Sequence, residues 1–440
     1  MPGFFVDRLM IFNALSQGRS KVRAMIRILS SLACSAALLL SACETTSPPV
    51  SVSDAAPSAT ESELTILISI DGFRPDYLER GVTPVLNGLA ETGATGRMQP
   101  SFPSKTFPNH YTLITGLRPD HNGMVNNTME DPAIPGDTFM LSDPSVTSNA
   151  AWWEQGTPLW VSAEQQGIRT ATLFWPGSDF EIHGERPSDF MPFDQRLPDF
   201  ARVDQLLRWL DVATNERPEF ATLYFDIVDT AGHIYGPDDP RTVSATAQVD
   251  ASIGRLIEGL ETLGIRDTTN LIVVSDHGMA PVSDEQIFSM DTLIDPSLVH
   301  YVWNGEFVGL SPLEGHEAEV EAALIGRHDH GECWLKENLP ARFEYGSNPR
   351  VPAIVCLSDI GWRWETADMQ VWRNSGGSHG YDPEHPLMHA LFIANGPAIA
   401  NGVTVDLFDN VSVYPLLAQL TGVEPVANDG DLNQLEDALN

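Results

Sequence analysis

Residues 64–70 read L-T-I-L-I-S-I and run straight into Asp71-Gly72. A continuous apolar run rich in β-branched residues, without polar alternation, predicts a strand buried on both faces. Similar runs recur at 169–174 (R-T-A-T-L-F), 220–228 (F-A-T-L-Y-F-D-I-V), 270–275 (N-L-I-V-V-S) and 390–394 (A-L-F-I-A). Between them apolar residues recur at helical spacing, most clearly over 243–263, where Val249, Ile253, Leu256, Ile257, Leu260 and Leu263 share one stripe. Further helices are expected near 84–91, 157–166, 201–213 and 411–420. Strands alternating with helices predict an α/β fold, a mostly parallel central sheet with helices on both faces. From about 284 to 374 the apolar runs shorten, and several tryptophans and two cysteines gather there. This stretch is expected to be an inserted small α/β subdomain. In open α/β sheets the ligand site lies beyond the carboxyl ends of the strands, so the polar residues that end the runs are the candidates for chemistry.

The 64–70 run ends in Asp71, and the 220–228 run in Asp229, with His233 four residues on. The 270–275 run ends in Asp276-His277, and His379 stands in G-G-S-H-G-Y-D shortly before the 390–394 run. Taken singly, each is as ordinary as a helix cap, a turn residue or a satisfied histidine. Three aspartates and three histidines converging on one rim are too many for one tetrahedral ion and suit two. Crowded carboxylates repel and raise each other's pKa, a conflict that divalent cations remove. Mixed carboxylate and imidazole ligands favour two Zn²⁺ ions over Mg²⁺ or Ca²⁺, with iron and manganese also open. Two metals roughly 4 Å apart are built for phosphoryl transfer, one at the nucleophile's oxygen and one at the leaving oxygen. The nucleophile candidate is Thr106, in P-S-F-P-S-K-T-F-P-N-H-Y-T-L-I-T-G. Phe107-Pro108 reads as a first helical turn, which would place Thr106 where free N–H groups and the helix dipole favour anions. The plain alternative is that Thr106 is only an N-cap.

The 440 residues allow two or three domains, or one large enzyme domain with an insertion, and 42% hydrophobic content supports a packed core. With 25 basic against 60 acidic residues the formal charge is -35, which excludes nucleic acid bound through the protein's own surface. A phosphate-bearing substrate would need local positive charge, and a metal is the obvious source. The four cysteines form no C-x-x-C pair, so zinc-ribbon and thioredoxin motifs are absent. From Met25 a basic residue, Arg27, precedes a short apolar run that ends in Leu40-Ser41-Ala42-Cys43. Residues 1–42 are therefore expected to be a signal peptide with Met25 as its start. The ending resembles a bacterial lipoprotein signal, with Cys43 as the lipidated residue. The Ser/Thr/Pro-rich stretch 43–62 is expected to be a tether. The expected address is the cell envelope, a periplasm-facing lipoprotein held by its lipid anchor. Glu44 in place of aspartate favours the outer membrane. In that oxidising compartment Cys333 and Cys356 can pair inside the insert, the alternative being two buried thiols.

Seven motifs occur in order: D-G-F-R-P-D-Y-L, F-P-S-K-T-F-P-N-H-Y-T-L-I-T-G, H-N-G-M-V-N-N, F-W-P-G-S-D, D-x-x-G-H-x-x-G-P, S-D-H-G-M and G-S-H-G-Y-D. Together, over about 63–437, they resemble the nucleotide pyrophosphatase/phosphodiesterase family of the alkaline phosphatase superfamily. The resemblance implies an alkaline-phosphatase-like fold for this catalytic domain. It implies one zinc held by Asp229, His233 and His379, and a second by Asp71, Asp276 and His277, with Thr106 as nucleophile and ligand. It places Asn127 against a phosphoryl oxygen, and Phe107 and Phe193 along a nucleobase pocket. The implied substrate is a small-molecule phosphodiester or nucleotide, hydrolysed through a phosphothreonine. Thr128 stands where nucleotide-cleaving vertebrate members commonly carry lysine, which keeps a lipid or glycan headgroup open as the alternative substrate, including phosphoethanolamine transfer. A sulfatase would need C-x-P-x-R, which none of the four cysteines has, and a monoesterase of the alkaline phosphatase type would use a serine with a third metal and an arginine beside it, which Lys105-Thr106 does not match. Lys105 is expected to point away from the site, leaving neutral Asn127 as a donor suited to a diester.

Overall fold

The computed structural model describes residues 64–367 and 376–440. The expected signal peptide, Cys43 and the tether lie outside the described residues. Among the described residues, six strands of the central sheet precede the insert: β1 (Leu64–Ile70), β2 (Ala94–Gln99), β3 (Thr170–Leu173), β4 (Asp189–Met191), β5 (Phe220–Phe225) and β6 (Thr269–Val274). The insert contributes β7 (Val299–Trp303), β8 (Phe307–Pro312), β9 (Gly326–His328), β10 (Gly331–Leu335) and β11 (Ile354–Ser358). Then follow β12 (Ala390–Asn395), β13 (Val403–Thr404) and β14 (Phe408–Asp409). The central sheet runs β13-β2-β12-β6-β1-β5-β3-β4, with β14 also paired to β2.

β1 lies at its heart, parallel to both β5 and β6. Its side chains alternate between two cores, as the pleat requires. Leu67 faces a core built with the helices α2 (Thr106–Thr115), α3 (Leu159–Gln165) and α8 (Val413–Thr421). Ile66, Ile68 and Ile70 face the other, built with α1 (Pro84–Glu91), α4 (Asp199–Leu210), α5 (Ile227–Tyr235) and α6 (Pro240–Thr262). The α/β class and the mostly parallel, two-faced sheet are as expected. Two details differ. β12 runs antiparallel to β6 and β2, because a run buried on both faces carries no mark of direction. The 220–228 run is not one strand: β5 ends at Phe225 and α5 begins at Ile227. Asp229 therefore sits in the first turn of a helix rather than at a strand end.

The insert is an antiparallel sheet, β7-β8-β11-β10-β9, packed with helix α7 (Glu317–Leu324) around its own core of Met290, Val308, Leu310, Val320 and Trp364. Cys333 and Cys356 lie directly opposite in the β10–β11 ladder and are joined as a disulfide. A sequence separation of 23 corresponds to roughly 3 kcal/mol from restricting the unfolded chain. Reduction is expected to lower the melting temperature, and both thiols should become titratable under denaturing conditions only after reductant. Equal thiol counts with and without reductant would contradict the bond.

Candidate active site

Each element delivers its polar residue to the same rim. Asp71 closes β1, its N–H donating to Phe225 O at 2.9 Å. Gly72 follows at φ +68°, and a Cβ there would stand 3.1 Å from three atoms of Asp229, so glycine lets α5 approach. Asp229 and His233 are one turn apart on α5, with His233 Nε2 at 3.4 Å from Asp229 Oδ1. Asp276 and His277 follow β6, and His277 Nε2 lies 3.0 Å from Asp276 Oδ2 and 3.5 Å from Asp71 Oδ1. His379 Nε2 stands 3.1 Å from His233 Nε2 and 3.7 Å from Asp229 Oδ1. Among the described residues, two groups have ligand atoms within 4.8 Å of one another: Asp71, Asp276 and His277, and Asp229, His277 and His379. All six sequence candidates thus come together. His277 is common to both groups, and His233 borders the second through Asp229 and His379.

The proton arrangement tests whether cations fit. His233 Nδ1 is 2.9 Å from Gly377 O, His277 Nδ1 2.9 Å from Gly278 O, and His379 Nδ1 2.8 Å from Ser104 O. A carbonyl only accepts, so each neutral ring carries its proton on Nδ1 and aims an Nε2 lone pair into the rim. The lone pairs of His233 and His379 then meet with no proton between them. Asp71 Oδ1, Asp229 Oδ1 and Asp276 Oδ2 are buried without a hydrogen-bond partner among the described residues. Converging lone pairs and orphaned carboxylate oxygens form a donor set that divalent cations satisfy, and the backbone-anchored Nδ1 atoms are the support metal-binding histidines need. The charges agree. Burial, then the Asp276 and Asp229 carboxylates, push Asp71 well above the ordinary carboxylate range. Burial drives His379 well below the usual imidazole value, which keeps its Nε2 lone pair free. Burial lowers His277 too, but Asp276 outweighs it and holds the ring above its ordinary value, so the rim calls for positive charge at this Nε2.

Thr106 is the first residue of α2, and the cap position is Lys105, extended at φ -122° and ψ 155°. The hydroxyl is therefore not spent on capping. Its Oγ1 lies 3.2 Å from His277 Nε2. Asn127 Oδ1 accepts from Phe107 N–H at 2.9 Å, which turns the amide toward the start of α2, and its Nδ2 has no hydrogen-bond partner among the described residues. Lys105 does turn away: Nζ donates to Glu306 at 3.0 Å and to His379 O at 2.9 Å. Phe107 packs against Phe139 and Trp153, with centroids 5.9 and 6.0 Å away. Phe193 is 52% exposed and meets Phe174 and Tyr224 edge-on. No ring contact joins Phe107 to Phe193 among the described residues. Two cavities of about 710 and 490 Å³ lie elsewhere and are lined by none of these residues.

Three supporting residues escaped the sequence reading. His110 is one turn after Thr106 on α2, with Nδ1 2.9 Å from Thr106 O and 3.4 Å from Asp276 Oδ2, and Nε2 2.8 Å from Ser69 Oγ. It joins the nucleophile helix to a candidate ligand, and its i+4 spacing from Thr106 was the available signal. Tyr224 donates its hydroxyl to Asp71 Oδ2 at 2.6 Å, turning Oδ1 toward the rim. Glu306 comes from the insert, where nothing in the sequence linked it to Lys105.

Residues 65–382 match the family model of type I phosphodiesterase / nucleotide pyrophosphatase. The chain is 38% identical over 381 residues to an uncharacterized pyrophosphatase/phosphodiesterase of Schizosaccharomyces pombe, covering 83% of this chain and 78% of that protein. It is 36% identical over 410 residues to ectonucleotide pyrophosphatase/phosphodiesterase family member 1 of Rattus norvegicus, covering 90% of this chain but 44% of that longer relative. Among solved structures, murine ectonucleotide pyrophosphatase/phosphodiesterase 5 superposes with a TM-score of 0.81 at 31% identity, over 86% of this chain and 100% of that one. An inactive threonine-to-alanine form of that murine protein, in complex with AMP, gives 0.82. With the rim geometry and the fold both in agreement, the chain belongs to the nucleotide pyrophosphatase/phosphodiesterase family of the alkaline phosphatase superfamily.

Proposed function

We propose that this chain is a two-zinc hydrolase of phosphodiester and pyrophosphate bonds that works through a covalent phosphothreonine at Thr106. The observation that carries the reading is the uncapped Thr106 hydroxyl standing beside the orphaned carboxylates and converging imidazole Nε2 atoms. Asp229, His233 and His379 would hold one ion, and Asp71, Asp276, His277 and Thr106 the other. Bound there, zinc would lower the hydroxyl pKa, neutralise phosphoryl oxygens and stabilise the leaving oxygen.

Thr106 Oγ1 attacks phosphorus and gives its proton to solvent, and the departing half leaves with the ester or anhydride oxygen and the electron pair of the broken P–O bond. Water then displaces Thr106 from phosphorus and restores the hydroxyl. The phosphoryl group meets the N-terminus of α2 and the neutral Nδ2 of Asn127. A monoester would bring a second negative charge, which calls for an arginine or a further cation. The one cation beside Thr106 in sequence, Lys105, is committed to Glu306. That favours diesters, with Phe107 and Phe193 as the apolar wall for the second substituent. The AMP complex of the murine relative supports a nucleoside monophosphate as product. The lipid- or glycan-headgroup reading keeps its footing in Thr128.

A substrate panel tests this: p-nitrophenyl thymidine phosphate, p-nitrophenyl phosphate, ATP and a lipid-headgroup diester. The expected order places the nucleotide diester and ATP above the monoester in kcat/KM. A monoester rate equal to the diesters would make the protein a phosphatase, and cleavage of the lipid diester alone would replace the substrate class.

The proposed address is the outer membrane, with lipid on Cys43 and the catalytic domain held on a tether. No helix among the described residues is long and apolar enough to cross a membrane. Cys43→Ser is expected to release soluble enzyme or leave a precursor, read by fractionation, and unchanged membrane attachment would refute lipidation as the anchor.

A further inference from the structure

Lys105 and Glu306 form a largely buried ion pair at 3.0 Å, with side-chain exposures of 17% and 6%. Lys105 precedes the nucleophile, while Glu306 sits in the insert between Gly305 and the start of β8. The pair is one part of a larger seam. Lys105 Nζ also donates to the carbonyl of His379 at 2.9 Å. The other Glu306 oxygen accepts from the hydroxyl of Ser378, the residue before His379. Ser104 closes the seam from its own side: its carbonyl accepts from His379 Nδ1 at 2.8 Å, and its hydroxyl donates to Tyr381 O at 3.0 Å. Gly380 makes the crossing possible. At φ +111°, a Cβ there would lie 2.3 Å from Lys105 Cε and 2.8 Å from Nζ. Glu306 is itself anchored, its carbonyl accepting from Ser358 N–H at 2.9 Å. Burial alone would raise the Glu306 pKa, but the Lys105 charge and the Ser378 hydroxyl hold it below the ordinary value.

Two loops far apart in sequence, one carrying Thr106 and one His379, are thus bound to each other through a carboxylate supplied by the insert. We propose that Glu306 is a positioning residue: through Lys105 and Ser378 it sets the placement of Thr106 against His379, and the insert is thereby a working part of the active site. This rests on the reading of Thr106 as nucleophile and His379 as metal ligand. The competing account is an ion pair that serves stability alone, and a buried pair is weak evidence for that.

The test uses zinc-loaded full-length protein carrying Glu306→Ala or Glu306→Gln, with Lys105→Met as an independent cut through the same pair. Three readouts are compared with wild type: kcat and KM on p-nitrophenyl thymidine phosphate, the rate of zinc release to a chelator, and thermal melting. Loss of the clamp should cut kcat and speed zinc release by about 10- to 100-fold, as removal of a metal-supporting partner does. KM should stay within about threefold, because the contacts to the substrate's other half are untouched. Glu306→Gln should be milder than Glu306→Ala, since its amide oxygen can still accept from Ser378. A lowered melting temperature with kcat and zinc release within about twofold of wild type would leave only the stability role and overturn the proposal. If the Glu306 variants do not fold, Lys105→Met decides by the same readouts. A wild type that binds zinc yet cleaves no diester would sink the functional reading, while zinc release would still decide the clamp.

Discussion

Thr106→Ala is expected to abolish turnover, by on the order of 10⁴-fold or more, while leaving the fold intact. The size follows from the role: without Oγ1 no covalent intermediate can form, and none of the described residues offers another hydroxyl in its place beside His277 Nε2. The sparing of the fold follows from the local structure. Thr106 opens α2 without serving as its cap, and alanine is the better helix former. Melting temperature should therefore barely move. Thr106→Ser keeps a hydroxyl but loses the methyl that restricts χ1, so it should retain a fraction of the rate. Acid quenching during turnover, followed by mass spectrometry of the peptide containing Thr106, should find phosphate on wild type and serine variants and none on alanine. A near wild-type rate for Thr106→Ala would replace the covalent route with direct attack by water.

Replacing His379 or His233 with alanine should empty one metal position and lower kcat by about 10³-fold, the several kcal/mol a bound cation contributes to the transition state. Wild type is expected to purify with two zinc ions per chain, to lose activity to a chelator and to regain it with Zn²⁺. Each variant should hold fewer ions, with Asp71, Asp276, His277 and Thr106 as the remaining set. One ion in fully active wild type, or full activity with Mg²⁺ alone, would overturn the assignment. The two histidines should not behave identically. His379 Nδ1 anchors to Ser104 O in the nucleophile loop, whereas His233 Nδ1 anchors to Gly377 O, outside that loop. Loss of His379 should therefore raise the exposure of that loop to proteolysis more than loss of His233.

Much of this site was legible because burial and chemistry speak separately in the sequence. The run at 64–70 could only be interior strand, so the Asp71 that ends it had to emerge at an edge. The same logic found Asp276-His277. It misplaced Asp229, because F-A-T-L-Y-F-D-I-V is apolar straight through the point where strand gives way to helix. For Thr106 it took the nucleophile over the N-cap only because a two-metal rim was expected beside it; what frees the hydroxyl from capping is the extended backbone of Lys105. Tyr224 was hidden by its own context: a tyrosine inside an apolar run reads as core, and its partner Asp71 is distant in sequence. Glu306 was hidden for a similar reason. A carboxylate in an insert acquires meaning only when the fold lays it against Lys105 and Ser378. Strand direction, visible at β12, was not encoded in the pattern at all.

β1 is made before every other strand of the sheet, yet it belongs in the middle. Thr65 pairs with Phe220 on one side and Asn270 on the other, so its first neighbour exists only after much of the chain has been synthesised. Parallel pairing over such separations is slow, because a long loop must be ordered before any contact rewards it. The growing chain thus carries an apolar segment that stays unpaired for a long interval and is open to holdase chaperones or to aggregation. The centre of the sheet cannot close while the partners of β1 are still unmade, and the rim is incomplete until His379, beyond the insert, has been synthesised.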